Sequence, residues 1–384
     1  MSPDPAPIAF YVHHHGSGHA QRTRIIAERW PTAAAIHVFT SAPQHFADWP
    51  ADRVHALPMD TDPTRDDQRD HLTGQVLHYA PVNCEGVQQR MRLIADWIAA
   101  AKPALFVVDL SVEIALFARL CSVPVALVRL HGFRSDPAHQ AAFRLADVLV
   151  APFPDRLEDD HTPDWVREKT IYLGAFSRYD DRTEDRAACR RLLGCREDEQ
   201  VVVVINGSGG GHNSSRYWSR VARANPNYRW LLVGKLAGQD ETPPNLERVG
   251  YVDDTFPYLK AADIVIGSGG TNMMLEIAAA GARFLSIPEQ RPYSEQYCKM
   301  KALQHQGLTR MVSADLKPAE WAKWLFRAND LIPERWHVLR KEKPFAHGLA
   351  ELVRRIPHRP VVKQLAVSGK GSVATVAGDV LLGG

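Results

Sequence analysis

Two doubly wound α/β domains facing a cleft are what this sequence predicts, and three observations carry that reading. Apolar runs of strand length alternate with helical patterns from start to finish. The alternation pauses at one polar stretch and then resumes as a second series. Gly-rich turns follow three of the apolar runs directly, and each opens into a helix. Strand and helix in alternation mean βαβ units and parallel sheets. The 384 residues are more than one hydrophobic core usually serves.

In the first series Ile8–His13, Ala35–Thr40, Ala104–Asp109, Val123–Arg129 and Val148–Ala151 read as strands. Each is a short apolar run, as expected of a strand covered on both faces. Gln21–Arg29, Gln88–Ala101 and Val112–Leu120 carry apolar residues at helical spacing. The stretch from Tyr172 to Asp185 is polar and aperiodic, which puts a linker at Gly174–Asp185. In the second series the strands are Val201–Asn206, Arg229–Gly234, Ile264–Gly267 and Arg283–Ile287. Its helices are Arg216–Ala224, Asn272–Ala280 and Ser294–Gln306. The expected division is a Rossmann-like first domain over 1–175 and a second over 176–345. A helix in 346–362 would pack back on the first domain. The tail, 363–384, is small, β-branched and Gly-punctuated, either a hairpin around Gly369-Lys370-Gly371 or disordered.

Composition narrows the function classes. Hydrophobic residues make up 45% and charged residues 23%, the balance of a globular protein in water. A formal net charge of +2 gives no whole-chain case for nucleic acid. The charged runs Arg144 to Asp160 and Arg178 to Arg191 mix both signs and read as solvated surface. No apolar stretch reaches the roughly 20 residues of a membrane helix. The N-terminal Met1-Ser-Pro-Asp-Pro-Ala-Pro7 is no secretory signal. Five cysteines without metal-ligand spacing suit a reducing cytoplasm.

The second Gly-rich segment of the second domain is the most informative. Asp263-Ile-Val-Ile-Gly267-Ser268-Gly269-Gly270-Thr271-Asn272 runs from a buried strand through a turn without bulky side chains into a helix. Its backbone N–H groups and the helix dipole make a place for a diphosphate. Glu276, about one turn into the helix, could accept hydrogen bonds from a ribose diol. An ordinary Gly-rich turn is the alternative reading of this motif taken alone. Val201-Val-Val-Val-Ile205-Asn206-Gly207-Ser208-Gly209-Gly210-Gly211 is a like turn, and no Lys-Ser/Thr follows it, so it is no Walker motif. Two such turns in one sheet can converge on one diphosphate. Gly250-Tyr251-Val252-Asp253-Asp254 offers a main-chain edge to a base, and the loop Glu289–Gln296 brings amides and carboxylates suited to sugar hydroxyls.

The first domain brings His13-His14-His15-Gly16-Ser17-Gly18-His19. The third Gly of the dinucleotide fingerprint is missing, and Thr40 ends the next strand where an acid would stand. A nicotinamide cofactor is therefore not expected. His19, on the first helical turn at the cleft, could take a proton from a hydroxyl, or simply pack the turn. His13–His15 read as a chance cluster, because consecutive strand residues face opposite ways. Asp109 ends a strand at the cleft and Glu113 follows at helical reach, as acid/base or acceptor contacts or as half of a salt bridge at the mouth. Arg129, His131 and Arg134, at the end of the next strand, are further acceptor-side candidates.

The order of these motifs resembles the glycosyltransferase family that includes the peptidoglycan N-acetylglucosaminyltransferase. The resemblance extends to about Ala350 and is strongest over Gly250–Tyr297. It implies the GT-B fold, with a nucleotide sugar held mainly by the C-terminal domain. It also implies Glu276 on the ribose, and Gly269, Gly270 and Thr271 on the diphosphate, with Ser208, Gly209 and Gly210 opposite. Val252 would meet uracil through its main chain, Glu295 and Gln296 the donor sugar, and His19 the acceptor as base. Glu295 departs from the family's Gln-Gln pair, and Val107-Val-Asp-Leu-Ser-Val-Glu113 replaces its Gly-rich acceptor turn, so the lipid-linked acceptor does not carry over. The reading is a cytoplasmic glycosyltransferase using a UDP-sugar and a small acceptor, with no cofactor, no metal and no nucleic acid partner. Asp60-Thr61-Asp62 lies away from the donor turns. Peripheral membrane contact stays open. The alternatives are a nucleotide-sugar hydrolase or 2-epimerase on the same fold, and a non-catalytic binding subunit.

Overall fold

The computed structural model describes residues 5–61, 76–207, 214–236, 238, 241–341 and 345–356. The first sheet has seven strands: β1 (Ile8–Tyr11), β2 (Ile36–Thr40), β3 (Val54–Ala56), β4 (Leu105–Asp109), β5 (Val125–Val128), β6 (Val148–Ala151) and β7 (Thr170–Tyr172). They are parallel throughout, in the order β3-β2-β1-β4-β5-β6-β7. The second sheet has six: β8 (Gln200–Ile205), β9 (Tyr228–Val233), β10 (Leu246–Gly250), β11 (Ile264–Gly267), β12 (Arg283–Ser286) and β13 (Thr309–Met311). These are also parallel, in the order β10-β9-β8-β11-β12-β13.

Helices cover both faces. In the first domain they are α1 (Gly18–Glu28), α2 (Glu85–Ala101), α3 (Val112–Leu120), α4 (Pro137–Leu145) and α5 (Asp164–Lys169). In the second they are α6 (Arg186–Leu192), α7 (Ser215–Ala224), α8 (Phe256–Ala261), α9 (Thr271–Ala280), α10 (Glu295–His305), α11 (Trp321–Ala328) and α12 (His337–Lys341). Alternate strand residues feed two cores, as the two-residue period requires. Ile8, Phe10 and Val12 join one core with α1, while Ala9 and Tyr11 join another with α2, α3 and α4. In the second sheet Val201 and Val203 face one way, Val202 and Val204 the other.

Each sheet reverses its winding once, between β1 and β4 and between β8 and β11. Such switch points open a crevice beyond the C-terminal strand ends, where no helix crosses. The two crevices face each other. Ala151, Phe153 and Leu157 of the first domain share a core with Met300 and Leu303 of α10. The Phe133 N–H donates to the Tyr293 carbonyl at 2.8 Å across the same junction. Gly132 (φ +112°) must be glycine there, since a Cβ would lie 2.4 Å from the Tyr293 oxygen. A last helix, α13 (Phe345–Arg355), packs Phe345, Leu349 and Leu352 onto the first domain, with the Phe345 ring 4.2 Å from that of Phe176.

The strands absent from the sequence reading are β3, β7, β10 and β13. The first, second and fourth are only three residues long and mix polar with apolar side chains. The charged runs are not all solvated either. Arg190 and Asp159 are buried, and so is most of Glu158. Arg129 belongs to this buried set: it donates to Thr170 Oγ1 (2.8 Å), to the Tyr172 hydroxyl (3.1 Å) and to Glu158, and Tyr172 donates to Glu158 Oε2 (2.6 Å).

Burial alone would raise the Glu158 carboxyl, but the Arg129 hydrogen bond and charge outweigh it and bring it down to about 2. Replacing Arg129 with Met should destabilise the fold by about 3–5 kcal/mol at neutral pH, because a buried carboxylate loses its partner. A depressed carboxylate stabilises fully above its unfolded pKa, near 4.5, and loses that contribution as pH falls toward 2. The gap between the wild type and Arg129→Met in urea denaturation should therefore narrow from pH 7 to pH 3. A constant gap would show that the charge pair is not the cause.

Candidate active site

The facing crevices form one cleft of about 1610 Å³. From the first domain it is lined by the turn between β1 and α1 and by the segment after β4. The sequence reading carried β1 to His13, but the strand ends at Tyr11. His13–His15 therefore stand in the turn, and all three line the cleft. Burial, with His19 nearby, pushes His13 down to about 4, so it is neutral at neutral pH.

His19 and Asp109 meet at the switch point. Asp109 ends β4 and is 3% exposed. Its Oδ2 lies 3.0 Å from His19 Nδ1. Arg22, one helical turn after His19 and so on the same face of α1, donates to both Asp109 oxygens at 2.8 and 2.7 Å. Burial would raise the Asp109 carboxyl, but Arg22 and His19 hold it well below the usual carboxylate range. The Arg22 nitrogen also lies 3.0 Å from His19 Nδ1. That nitrogen has two hydrogens, and the two Asp109 oxygens take both; the carboxylate only accepts, so the proton between His19 and Asp109 sits on Nδ1 and Nε2 keeps the lone pair.

The opposite wall is the turn between β11 and α9. A Cβ on Gly267 would lie 2.7 Å from Met273 Sδ, and one on Gly269 would lie 3.0 Å from Gln296 Cβ and Met300 Cγ. Packing alone therefore requires small residues. Gly270, the N-cap of α9, supplies no side-chain cap, which leaves the first N–H groups of the helix for another acceptor. Gln296 is buried, and its Oε1 accepts from the N–H groups of Gly269 (2.9 Å) and Glu289 (2.8 Å). It pins the turn from beneath, so only its amide NH₂ remains for a ligand. Thr271 lines the cleft, and its Oγ1 accepts from Lys299 at 2.6 Å.

Glu276 is 7% exposed and lines the cleft. Its Oε1 accepts from Arg178 Nε at 2.9 Å and its Oε2 from the Thr255 hydroxyl at 3.3 Å. Burial pushes this carboxyl up and Arg178 opposes the push. Val252 lines the cleft beside it. Ser208, Gly209 and Gly210 lie outside the described residues, while their neighbours Asn206, Gly207 and Ser214 line the cleft.

The acceptor-side candidates separate. Glu113 and Arg134 line the cleft. Glu113 is not paired with Asp109; its Oε1 accepts from the N–H groups of His78 (2.7 Å) and Tyr79 (3.0 Å) and so fixes that loop. Arg134 lies 3.7 Å from Glu295 Oε2 and over the Tyr293 ring. Arg129 is turned to Glu158 and does not line the cleft. His131 does not line it either: its Nε2–H donates to the Leu157 carbonyl at 2.7 Å, against the Phe153 ring, and burial pushes it down to about 4.

His78, Asp136 and His139 present ligand atoms within 4.8 Å of one another, the one such group found among the described residues. Arg134 lies 2.9 Å from His139 Nε2, and a guanidinium only donates. His139 must then carry its proton on Nδ1, where it donates to Asp136 at 2.6 Å. That leaves no lone pair for a metal, and the group reads as a hydrogen-bonded strut.

Three cleft residues, Arg22, Arg178 and Asn272, and the buried Lys299 behind the cleft wall escaped the sequence reading. Asn272 Nδ2 donates to the Gly18 carbonyl and to Gln21 Oε1, both at 3.0 Å, clasping α9 to α1. Arg22 stands three residues after His19 and Lys299 four after Glu295, so helical spacing could have found both. Arg178 sits in the linker, where no periodicity marks it.

Residues 228–325 match the glycosyltransferase family 28 C-terminal domain. An "uncharacterized glycosyltransferase" of Methanosarcina acetivorans is 30% identical over 204 residues, 50% of this chain and 51% of that protein. A UDP-N-acetylglucosamine--N-acetylmuramyl-(pentapeptide) pyrophosphoryl-undecaprenol N-acetylglucosamine transferase of Clavibacter sepedonicus is 28% identical over 269 residues, 65% of this chain and 67% of the relative. The first curated relatives are spanned over 51%, 20% and 55% of their lengths, about half or less. The crystal structure of Acinetobacter baumannii MurG aligns with a TM-score of 0.60 and 14% identity, over 92% of this chain and 99% of that one, a likeness of fold. The second domain thus matches a glycosyltransferase family 28 C-terminal domain in sequence, on a chain whose two-sheet GT-B fold is like that of MurG.

Proposed function

We propose that the chain moves a glycosyl group from a UDP-sugar to a hydroxyl of a small acceptor, without a metal ion. The observation that carries this reading is the Asn272 clasp, which brings the N-terminal ends of α1 and α9 together. A base on the one then faces an anion site on the other across a single gap. In the proposed reaction His19 Nε2 takes the acceptor proton. The freed oxygen forms a bond to the anomeric carbon as the bond from that carbon to the diphosphate oxygen breaks. Asp109 stabilises the imidazolium, and Arg22 keeps Asp109 charged and in place. The electron pair leaves on the diphosphate, where the α9 dipole and its uncapped N–H groups oppose the growing charge.

The donor residues take their proposed roles from this arrangement. Glu276 accepts from the ribose hydroxyls, Val252 meets the base through its main chain, and Glu295 with the Gln296 amide meets the sugar. The Clavibacter relative is named for a UDP-linked sugar, which favours uridine. The metal-free reading rests on the α9 terminus and on Asp60, whose carboxylate is taken by Arg90 at 2.5 Å. Glu113 and Arg134 are proposed as the acceptor's neighbours. No helix among the described residues is long and apolar enough to cross a membrane. The cytoplasm is the proposed place of action, in keeping with five free cysteines.

In a thermal-shift panel UDP should raise the melting temperature more than ADP or GDP do. Equal shifts would remove the uracil assignment. Glu276→Ala should weaken UDP binding by about 1–3 kcal/mol in calorimetry, the cost of unpaired ribose hydroxyls. Unchanged affinity would leave Glu276 as a partner of Arg178 alone.

His19→Ala should lower turnover by roughly 100- to 10,000-fold, the usual worth of a positioned general base. UDP affinity should hardly change. A folded variant with near-normal turnover would move the base elsewhere, and donor consumption without any acceptor would point to hydrolysis instead.

A further inference from the structure

Lys299 lies one helical turn after Glu295 on α10, beneath the turn that opens α9, and is 0% exposed. Fully buried lysines are rare unless something pairs with them. Its Nζ is 2.6 Å from Thr271 Oγ1 and 3.3 Å from Glu295 Oε1. An ammonium has only donors, so the Thr271 oxygen accepts in that bond. The hydroxyl's single hydrogen is then left for a different acceptor. Among the described residues no hydrogen bond uses it, and Thr271 is the first residue of α9, on the cleft wall.

We propose that Lys299 is a positioning residue for the donor's diphosphate: it turns the Thr271 hydroxyl into a donor toward the cleft and sets a buried positive charge behind the α9 N-terminus. This deepens the donor-site reading above and rests on it. Glu295 balances part of that charge. Its two oxygens lie near Lys299 and near Arg134 of the first domain. Arg134 also has Asp136 and Asp159 near it, whereas the one ion pair of Lys299 among the described residues is with Glu295, a carboxylate it shares, so part of the Lys299 charge is left for whatever enters. A diphosphate, gaining charge as the sugar leaves, complements that remainder. A neutral nucleoside does not.

The test is calorimetry on the full chain with UDP and with uridine as probes. Lys299→Met and Thr271→Val should each weaken UDP binding by roughly 10- to 100-fold, the worth of a hydrogen bond to a charged group. Uridine affinity should stay constant. Lys299→Met in the Thr271→Val background should lose little more than either alone, because both act through one hydroxyl. Lys299→Met leaves Glu295 short of a buried partner and is at risk of misfolding. The Lys299→Met/Glu295→Gln variant removes both charges and is measured in the same way. A folded Lys299 variant that keeps wild-type UDP affinity, or that loses UDP and uridine equally, overturns the role of Lys299 alone. A wild-type chain that binds no UDP overturns the donor-site reading and this inference together.

Discussion

The buried carboxylate of Asp109 is the interaction on which the cleft depends. A charge this far from water must be matched, and Arg22 and His19 match it from a single helical turn. Meeting it fixes the rotation and tilt of α1 against β4. That orientation turns the Gly18 carbonyl and Gln21 toward Asn272, and the Asn272 amide ties α9 to them. One desolvated group in the first sheet thus sets where the N-terminus of α9, the proposed anion site, stands. The topology provides the place, a pair of switch points, and the charge provides the registry.

The remaining ionised groups of the cleft follow a pattern. Each carboxylate that a donor would meet is already bridged to an arginine or a lysine. Glu276 holds Arg178 of the linker, and Glu295 stands between Lys299 and Arg134. Such pairs keep the cleft ionised and leave neither carboxylate unmatched. They also couple the ligand to the domain junction, since Arg134 and Arg178 come from outside the second sheet. A ligand that draws on Glu276 or Glu295 loosens a contact between parts of the chain while it makes its own. The junction itself is held independently, by apolar packing of Phe153 and Leu157 and by the Gly132–Tyr293 approach.

The sheets were legible because strands covered on both faces are continuous apolar runs, and eleven or so residues of patterned helix between them leave little choice of topology. The three-residue strands were not, since β3 and β7 hold no run long enough to separate from a loop. The Gly-rich turn before α9 was legible as a strand-to-helix turn at the cleft, and Glu276 and Thr271 do line it. Partnerships across the chain were not legible. Arg129 and His131 follow a strand at the height of the cleft, yet Glu158 and the Leu157 carbonyl, about 27 residues on, draw them inward. Gln296 sits where a sugar contact was expected, and half of its amide serves the turn instead. Sequence shows which groups carry charge; only the fold shows which other group answers it.

The most direct measurement of the account is the position of UDP in a crystal of the full chain. The account predicts a phosphate within hydrogen-bond distance of the Gly270 and Thr271 N–H groups, the ribose against Glu276, and His19 across the gap with Asp109 still bound to it. A nucleotide lodged elsewhere in the cleft, or a diphosphate held by the His13–His15 turn, would contradict it.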